Sequence, residues 1–194
     1  MKLEEIIQRL QDKTVGIAGC GGLGSNCAVA LARTGIGKLV LADYDKVEES
    51  NLNRQYYFRS QLGTFKAYAL RDNIHLIDDT IEVETHIVSL DAENVMEIFS
   101  SCDVIVEAFD TDEAKQMIIE TVLADMPDKR IISGQGLGGY GRNDALRTIR
   151  HDRLYIVGDG ITEVSEEQPP LGPRVGIVAN MQANLVLEIL LNEG

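Results

Sequence analysis

The stretch Val15-Gly16-Ile17-Ala18-Gly19-Cys20-Gly21-Gly22-Leu23-Gly24-Ser25-Asn26 decides the fold of this chain. Its apolar first residues predict a short buried strand, its glycines predict a tight loop, and the run Cys27–Ala32 predicts a helix. Glycine lets the backbone turn sharply and approach a ligand, and a helix N-terminus offers unpaired N–H groups and about half a positive charge. A strand, a glycine loop and a helix in this order therefore predict a phosphate-binding loop, although glycines alone would suit a packing turn equally well.

A second apolar run, residues 38 to 42, predicts the next strand, and Asp43 follows it directly. An acidic residue about 20 positions beyond the glycine loop is well placed to accept a hydrogen bond from a ribose hydroxyl. Asp43 could instead cap a turn. The strand, the helix and this acid together favour nucleotide binding over simple packing.

The composition limits the choice of function. The chain has 194 residues, enough for one α/β domain, and 44% of them are hydrophobic. It carries 18 basic and 31 acidic residues, and a net charge of −13 argues against nucleic acid or an anionic membrane as the main partner. We expect no signal peptide and no membrane-spanning helix, since no apolar run approaches ~18 residues. Three dispersed cysteines fit the reducing cytoplasm.

Strands and helices are predicted to alternate along the rest of the chain. Helices are expected over residues 2 to 12, 60 to 77, around 95 to 99, 112 to 124 and 177 to 190, with Leu62 and Ile177 among the buried positions. Strands are expected near residues 81 to 87, 104 to 106, 130 to 133 and 154 to 157. Residues 134 to 141 are predicted as a loop or a bend into an added strand, and residues 158 to 173 as a loop. This order predicts a Rossmann-like, doubly wound, mostly parallel sheet with flanking helices in a single domain, residues 1 to 194.

Three polar segments are predicted to meet at the carboxyl edge of that sheet: the glycine loop, residues 43 to 55, and residues 107 to 111. Arg54 and Lys66 could neutralise a triphosphate, and Asp110 could hold Mg²⁺. Such groups around one phosphate chain are typical of nucleotidyl or phosphoryl transfer. Taken singly, Arg54 could be a surface ion pair, Lys66 a solvated helix residue and Asp110 a helix cap. Taken together, the three residues favour a role in binding a nucleotide over three separate structural roles.

Several motifs give the chain a resemblance to a known family. They are Gly-Cys-Gly-Gly-Leu-Gly-Ser (19–25), Asp-Tyr-Asp (43–45), Ser-Asn-Leu-Asn-Arg-Gln (50–55), Leu-Gly-Thr-Phe-Lys-Ala (62–67), Glu-Ala-Phe-Asp (107–110) and Gln-Ala-Asn (182–184). Over most of its length the chain resembles the ThiF/MoeB/HesA family of ubiquitin-activating-enzyme-like adenylyltransferases. The Ser-Asn-Leu-x-Arg-Gln motif downstream of the glycine loop is more specific than the glycines.

The resemblance implies an activity and a site. ATP would adenylylate the C-terminal glycine of a small β-grasp sulfur carrier protein ending in Gly-Gly, in a cytoplasmic homodimer serving thiamine (thiazole) biosynthesis. Asp43 would bind the ribose, Asn51, Arg54 and Lys66 the phosphates, and Asp110 the magnesium. The residues expected around the nucleotide are Gly19, Gly21, Gly22, Leu23, Gly24, Asp43, Asp45, Asn51, Arg54, Gln55 and Lys66.

The chain also departs from the family pattern. The N-terminal segment is short, and Arg9 is only a weak substitute for the arginine that family members extend toward a partner subunit's ATP. No Cys-x-x-Cys pair is present, so no structural zinc is expected, and the region 134 to 174 contains no sulfur-handling cysteine. Cys20, Cys27 and Cys102 are expected to be small buried side chains, although a helix N-terminus could acidify Cys20.

Other functions remain open at this stage. An NAD-dependent oxidoreductase would use the same first strand, loop and helix, but would leave Arg54, Lys66 and Asp110 unexplained. A non-catalytic module that docks the carrier is a second alternative, supported by the missing arm and cysteine. Activation of a tRNA-linked carboxylate is possible within the family, and the charge of −13 counts against it.

Overall fold

The glycine-loop stretch forms the centre of the fold in a computed structural model that describes residues 1–192. The strands are β1 (Thr14–Ala18), β2 (Lys38–Ala42), β3 (Glu82–His86), β4 (Val104–Glu107), β5 (Arg130–Gln135), β6 (Arg147–His151) and β7 (Leu154–Gly158). The helices are α1 (Leu3–Leu10), α2 (Gly22–Ala32), α3 (Lys66–His75), α4 (Ala92–Phe99), α5 (Asp112–Asp125) and α6 (Gly172–Asn192). The last two positions of the predicted domain, 193 and 194, lie outside the described residues.

The seven strands form one sheet in the order β3-β2-β1-β4-β5-β7-β6. Every neighbouring pair is parallel except β6 with β7. Chain order reverses between β1 and β4, which is where an open α/β sheet leaves a crevice at the carboxyl ends of its strands. The prediction of a doubly wound, mostly parallel α/β sheet in one domain is confirmed.

Apolar side chains cover both faces of the sheet. Val15 and Ile17 of β1 are fully buried among α2, α3 and α6, whereas Ile105 of β4 is buried on the opposite face with α4 and α5. Helix α2 is buried on nearly all sides because α6 packs over it. By length and apolar composition alone, α6 could cross a membrane, and half of its most apolar stretch is buried inside the fold.

A buried ion pair holds the long connections around β6 and β7. The Arg174 guanidinium lies 2.6 Å from Asp159, and it also donates to the carbonyl oxygens of Gly136 and Gly141. Burial alone would raise the pKa of Asp159, but hydrogen bonds from Thr162 and the amide of residue 161, together with Arg174, outweigh it and lower the pKa to about 2. The loop from 158 to the start of α6 is therefore fixed to that helix.

Two of the predicted elements differ from the structure. The helix predicted over 60 to 77 is α3 alone, preceded by a short 3-10 turn at Arg59–Gln61, because Gly63 takes a left-handed conformation (φ 81°). Leu62 is consequently exposed instead of buried. In α6 the buried face includes Val175, Val178 and Gln182, so Ile177, predicted as buried, points outward.

The predicted bend into an added strand corresponds to β6, which pairs with β7 across a two-residue turn. Four of its five residues are exposed, since it is an edge strand. Its polar sequence gave no apolar alternation from which its limits could be read.

Candidate nucleotide-binding site

The glycine loop between β1 and α2 is built on very close backbone approaches. A Cβ at Gly24 would lie 1.8 Å from the carbonyl oxygen of Gly19, and one at Gly19 (φ 92°) would lie 2.9 Å from that of Ala108. Only glycine fits at these two positions. The first turn of α2 has N–H groups without intrahelical partners, and they face the loop at the carboxyl edge of the sheet.

Asp43 braces this loop from the end of β2. One carboxylate oxygen accepts from the amide of Cys20 at 2.6 Å, and the other accepts from the amide of Asp45 at 2.7 Å. Burial raises the pKa of Asp43, while these amide bonds and the Lys66 ammonium oppose the rise. Asp43 thus caps a turn, as the alternative interpretation held, and does so at the lip of the glycine loop.

The Ser-Asn-Leu-Asn-Arg-Gln segment is tied to the first turn of α2. The Asn26 side chain donates to the carbonyl of Arg54 at 2.9 Å, and the Ser25 hydroxyl accepts from the amide of Tyr56 at 2.9 Å. These bonds join residues about thirty positions apart and place Arg54 over the loop, with its Cγ 3.7 Å from where a Cβ on Gly22 would be.

Within that segment the polar side chains are ordered by local bonds. Arg54 donates to the Ser50 carbonyl and to the Asn53 side chain, both at 2.9 Å, and is half-buried. Asn51 is buried and accepts from the amide of Glu48 at 3.0 Å. The predicted phosphate ligands Asn51 and Arg54 therefore lie in one fixed turn beside the glycine loop.

Gln55 is buried at 9% exposure, and its Oε1 has no hydrogen-bond partner among the described residues. Its Nε2 lies near Gly21, 3.8 Å from the position of a Cβ there. A buried acceptor without a donor is costly, so this oxygen is available for a donor on a bound ligand.

Lys66 is only 6% exposed, and its ammonium lies 2.7 Å from the Asp45 carboxylate. It is the first residue of α3, where the helix dipole disfavours a cation, and Asp45 supplies the compensating charge. The Tyr57 hydroxyl donates to the carbonyl of Cys20 at 2.7 Å and lies 3.3 Å from that of Lys66, joining α3 to the glycine loop. The alternative that Lys66 is a solvated helix residue is wrong.

Asp110 is exposed beyond the end of β4, on the loop whose Ala108 carbonyl touches Gly19. It does not cap α5, because Thr111 does so by accepting from the amide of Ala114. Between residues 1 and 192 there is no group of three His, Cys, Asp or Glu that could hold a metal alone. Mg²⁺ that travels with a nucleotide keeps its phosphates and waters and needs only one or two carboxylates, so a single Asp110 fits it.

A buried polar cluster beneath this loop was missed by sequence reasoning. Glu107, fully buried at the end of β4, contacts Lys115 of α5 and Ser133 of β5. The only signal was a charged residue closing the apolar run of β4, and the sequence interpretation used Glu107 as part of a motif without giving it a role.

The remaining predicted residues behave as follows. All three cysteines are free and buried, and burial raises the pKa of Cys20 well above its usual range and that of Cys102 to about 12. The lowered pKa considered for Cys20 is therefore wrong: burial is the main cause of the raised pKa, and the nearby Asp43 carboxylate raises it further. Arg9 donates to the carbonyl of Leu191 in its own chain at 3.2 Å.

The fold defines a class: a doubly wound α/β domain whose glycine loop and the carboxyl ends of β2 and β4 meet at one edge of the sheet, where open α/β sheets bind their ligands. Comparison with known proteins gives the family. The ThiF family profile matches residues 3–194, and the chain belongs to the ThiF family. The family predicted from the motifs is confirmed.

Two relatives of known name show the range of similarity. Adenylyltransferase and sulfurtransferase MOCS3 of Caenorhabditis briggsae is 32% identical over 94% of this chain and 46% of its own length. Ubiquitin-like modifier-activating enzyme 5 of Caenorhabditis elegans is 46% identical over 41% of this chain and 19% of its own length. The chain spans less than half the length of these relatives.

Solved structures match the fold. Escherichia coli tRNA N6-threonylcarbamoyladenosine dehydratase, TcdA, in complex with ATP has a TM-score of 0.88 at 20% identity, covering 98% of this chain and 90% of that one. Escherichia coli MccB with MccA-N7isoASN has a TM-score of 0.73 at 19% identity, covering 95% and 58%.

Proposed function

We propose that this domain binds Mg-ATP and adenylylates the C-terminal carboxylate of a small β-grasp protein ending in Gly-Gly. The observation that carries this proposal is the buried Lys66–Asp45 pair, which is held with Arg54 beside the glycine loop. Two cations at this place suit a triphosphate, which carries more negative charge than the pyrophosphate of a dinucleotide. The family membership and the ATP complex of TcdA support the choice of ATP.

The chemistry follows from the positions of the groups. A carboxylate oxygen of the carrier attacks the α-phosphorus, the bond to the bridging oxygen breaks, and pyrophosphate leaves with that electron pair. Asn51, Arg54 and Lys66 bind the phosphates and stabilise the charge that develops on the leaving group. The glycine loop, with Leu23 packed beneath it, and Gln55 surround the nucleotide, Asp43 accepts from the ribose, and Asp110 binds the magnesium that accompanies ATP.

Covalent catalysis by the domain is not required. The incoming carboxylate is already anionic near neutral pH, so alignment with the α-phosphate is what the protein must supply. The described thiols are buried and protonated, which leaves sulfur delivery to another protein or segment. Among possible carriers, the sulfur carrier of thiazole synthesis is the first to test, with this domain acting as a homodimer.

The first prediction concerns Arg54 and Asp110. Arg54→Ala and Asp110→Ala are each expected to lower carrier-dependent exchange of labelled pyrophosphate into ATP by about 10³-fold, because a positioned charge at a transferring phosphate is worth that much. Neither side chain belongs to the apolar core, so both variants should keep the wild-type melting profile.

Arg59→Ala is the matched control, since Arg59 is an exposed arginine five positions beyond Arg54 that pairs with Glu49. It should leave the exchange rate unchanged. Loss of activity in proportion to loss of stability would assign Arg54 and Asp110 a structural role. No exchange with any carrier, alongside intact ATP binding, would favour the carrier-docking alternative, and protection by NADH instead of Mg-ATP would favour the oxidoreductase.

A further inference from the structure

The cluster around Glu107 lies next to the proposed magnesium ligand and has no part in the chemistry described above. Glu107 has no exposed surface, and four hydrogen bonds converge on its carboxylate. The amide of Phe109 donates at 2.7 Å, the Lys115 ammonium at 2.9 and 3.1 Å, and the Ser133 hydroxyl at 2.5 Å. Every lone-pair site of a buried carboxylate is thus occupied.

Lys115 is unusual in its position. It lies near the N-terminus of α5, where the helix dipole favours anions, and its first turn otherwise carries Asp112 and Glu113. Its ammonium turns back toward the sheet, reaches Glu107, and also lies 3.3 Å from the carbonyl of Gly134 at the end of β5. The pair therefore joins β4, β5 and α5 at the carboxyl edge of the sheet.

The loop that carries Asp110 is fixed at both ends by these contacts. On its N-terminal side the amide of Phe109 is bound by Glu107, and on its C-terminal side Thr111 caps α5, the helix that carries Lys115. Gln182 of α6 donates to the main-chain carbonyl of Glu107 at 2.9 Å. Asp110 itself is exposed between these fixed points, so its carboxylate projects from a loop that has little freedom to move.

We propose that Glu107 and Lys115 are positioning residues that hold the Asp110 carboxylate where it meets the magnesium of bound Mg-ATP; this role rests on the proposed function. They act through the loop and do not touch the nucleotide. Groups that orient a metal ligand in this way commonly change metal affinity by about 10- to 100-fold when they are removed.

The test measures ATP binding by calorimetry in Mg²⁺ and in EDTA, without any carrier. The quantity of interest is the magnesium effect, meaning the ratio of the two dissociation constants. A single substitution would leave an unpaired buried charge and destabilise the fold, so the main variant is the paired change Glu107→Gln with Lys115→Met, which removes both charges and keeps the volume. We expect it to lower the magnesium effect about tenfold or more and to leave the affinity in EDTA unchanged.

Three further variants make the result specific. Asp110→Ala should lower the magnesium effect, and adding the paired change to it should produce no further loss, because the pair acts only through Asp110. Lys115→Arg keeps the ion pair and should retain the wild-type ratio. Removing the exposed Arg150–Glu188 pair, which joins β6 to α6, is the matched control and should also retain it.

An unchanged magnesium effect in the paired variant would overturn this role, as would equal losses with and without Asp110. If the paired variant does not fold, Ser133→Ala removes one donor to Glu107 without unpairing a charge, and a wild-type ratio in that variant would overturn the role as well. Absence of ATP binding by the wild-type protein would instead overturn the proposed function, and this role with it.

Discussion

At the scale of single residues, the side chains of the candidate site already make hydrogen bonds that hold the surrounding loops in place. Asp43 shows this most clearly, because both of its oxygens already accept main-chain amide hydrogens from Cys20 and Asp45. Each carboxylate oxygen has a second lone pair, so a ribose hydroxyl can be bound without breaking either bond. The binding role and the bracing role are therefore compatible in one carboxylate.

Replacing Asp43 by Ala is expected to weaken ATP binding, since a charge-assisted hydrogen bond contributes on the order of 1.5–3 kcal/mol. The comparison that isolates the ribose uses 2′,3′-dideoxy-ATP, which should lose less affinity than ATP on this substitution, because loss of the bracing bonds affects both nucleotides and loss of the ribose bond affects ATP alone. Calorimetric titrations of both nucleotides against both proteins measure the difference. If the substitution weakens the two nucleotides equally, Asp43 acts only by bracing the loop.

Particular residues also show how much of the candidate site could be predicted from the sequence. Asn51, Arg54 and Lys66 could be predicted as neighbours because loops after parallel strands meet at one edge of a sheet. That Lys66 is buried could not be predicted, because a lysine at the start of a helix normally lies in solvent. The contacts of Glu107 with Lys115 and Ser133 depend on the register of β4 against β5 and on the rotation of α5, which no local pattern specifies.

At the scale of elements, the β1–α2 unit needs glycine where two parts of its backbone come very close together, whereas α6 carries a glycine at a position with room for a side chain. Gly24→Ala is expected to destabilise the fold and abolish ATP binding, since its Cβ would lie 1.8 Å from the Gly19 carbonyl oxygen. Gly176→Ala is the matched control, because a Cβ there meets nothing within 4 Å.

In Gly176→Ala we expect a gain of about 0.5–1 kcal/mol in the free energy of unfolding, because alanine restricts the unfolded chain and favours helix. Urea denaturation and ATP titration of the two variants provide the measurements. A Gly24→Ala protein with wild-type affinity for ATP would mean that the close approach is not needed to form the site.

The Asp159–Arg174 pair makes a prediction about pH. The pKa of Asp159 is about 2 in the folded protein and about 3.9 in an unfolded chain, so its stabilisation is complete above the unfolded value and is lost as pH falls through the folded one. Between pH 5 and pH 3 the wild-type protein should lose roughly 1 kcal/mol of stability that Asp159→Asn does not lose. Urea unfolding of both proteins at several pH values measures this; parallel curves would contradict it.

Elements were predicted from the sequence wherever periodicity was strong. The apolar strands β1, β2, β4 and β5 and the helix α5 were all predicted within a few residues of their limits. The region between β5 and α6 was not, because it is held by polar contacts such as those of Arg174, which leave no periodic signal. Helix α3 was predicted to begin too early, because the apolar Leu62 fits the helical pattern although the left-handed Gly63 separates it from the helix.

At the scale of the whole molecule, the net charge leads to a prediction about tRNA. TcdA is named for a reaction on tRNA, whereas this chain has a net charge of −13, which disfavours association with a polyanion. We predict no saturable binding of tRNA in gel-shift titrations at ~150 mM salt, where non-specific attraction is already screened. Sub-micromolar, saturable binding would make a tRNA-linked carboxylate the better substrate.

The position of α6 has a consequence for how the protein is made. Helix α2 is synthesised long before α6, so the apolar surface that α6 covers stays open until α6 has been made, and α6 begins about 140 positions after the last residue of α2. The nascent chain thus carries an uncovered hydrophobic helix beside the glycine loop while the residues between α2 and α6 are being made. Such a surface attracts holding chaperones, and closure of the domain must wait until α6 has left the ribosome.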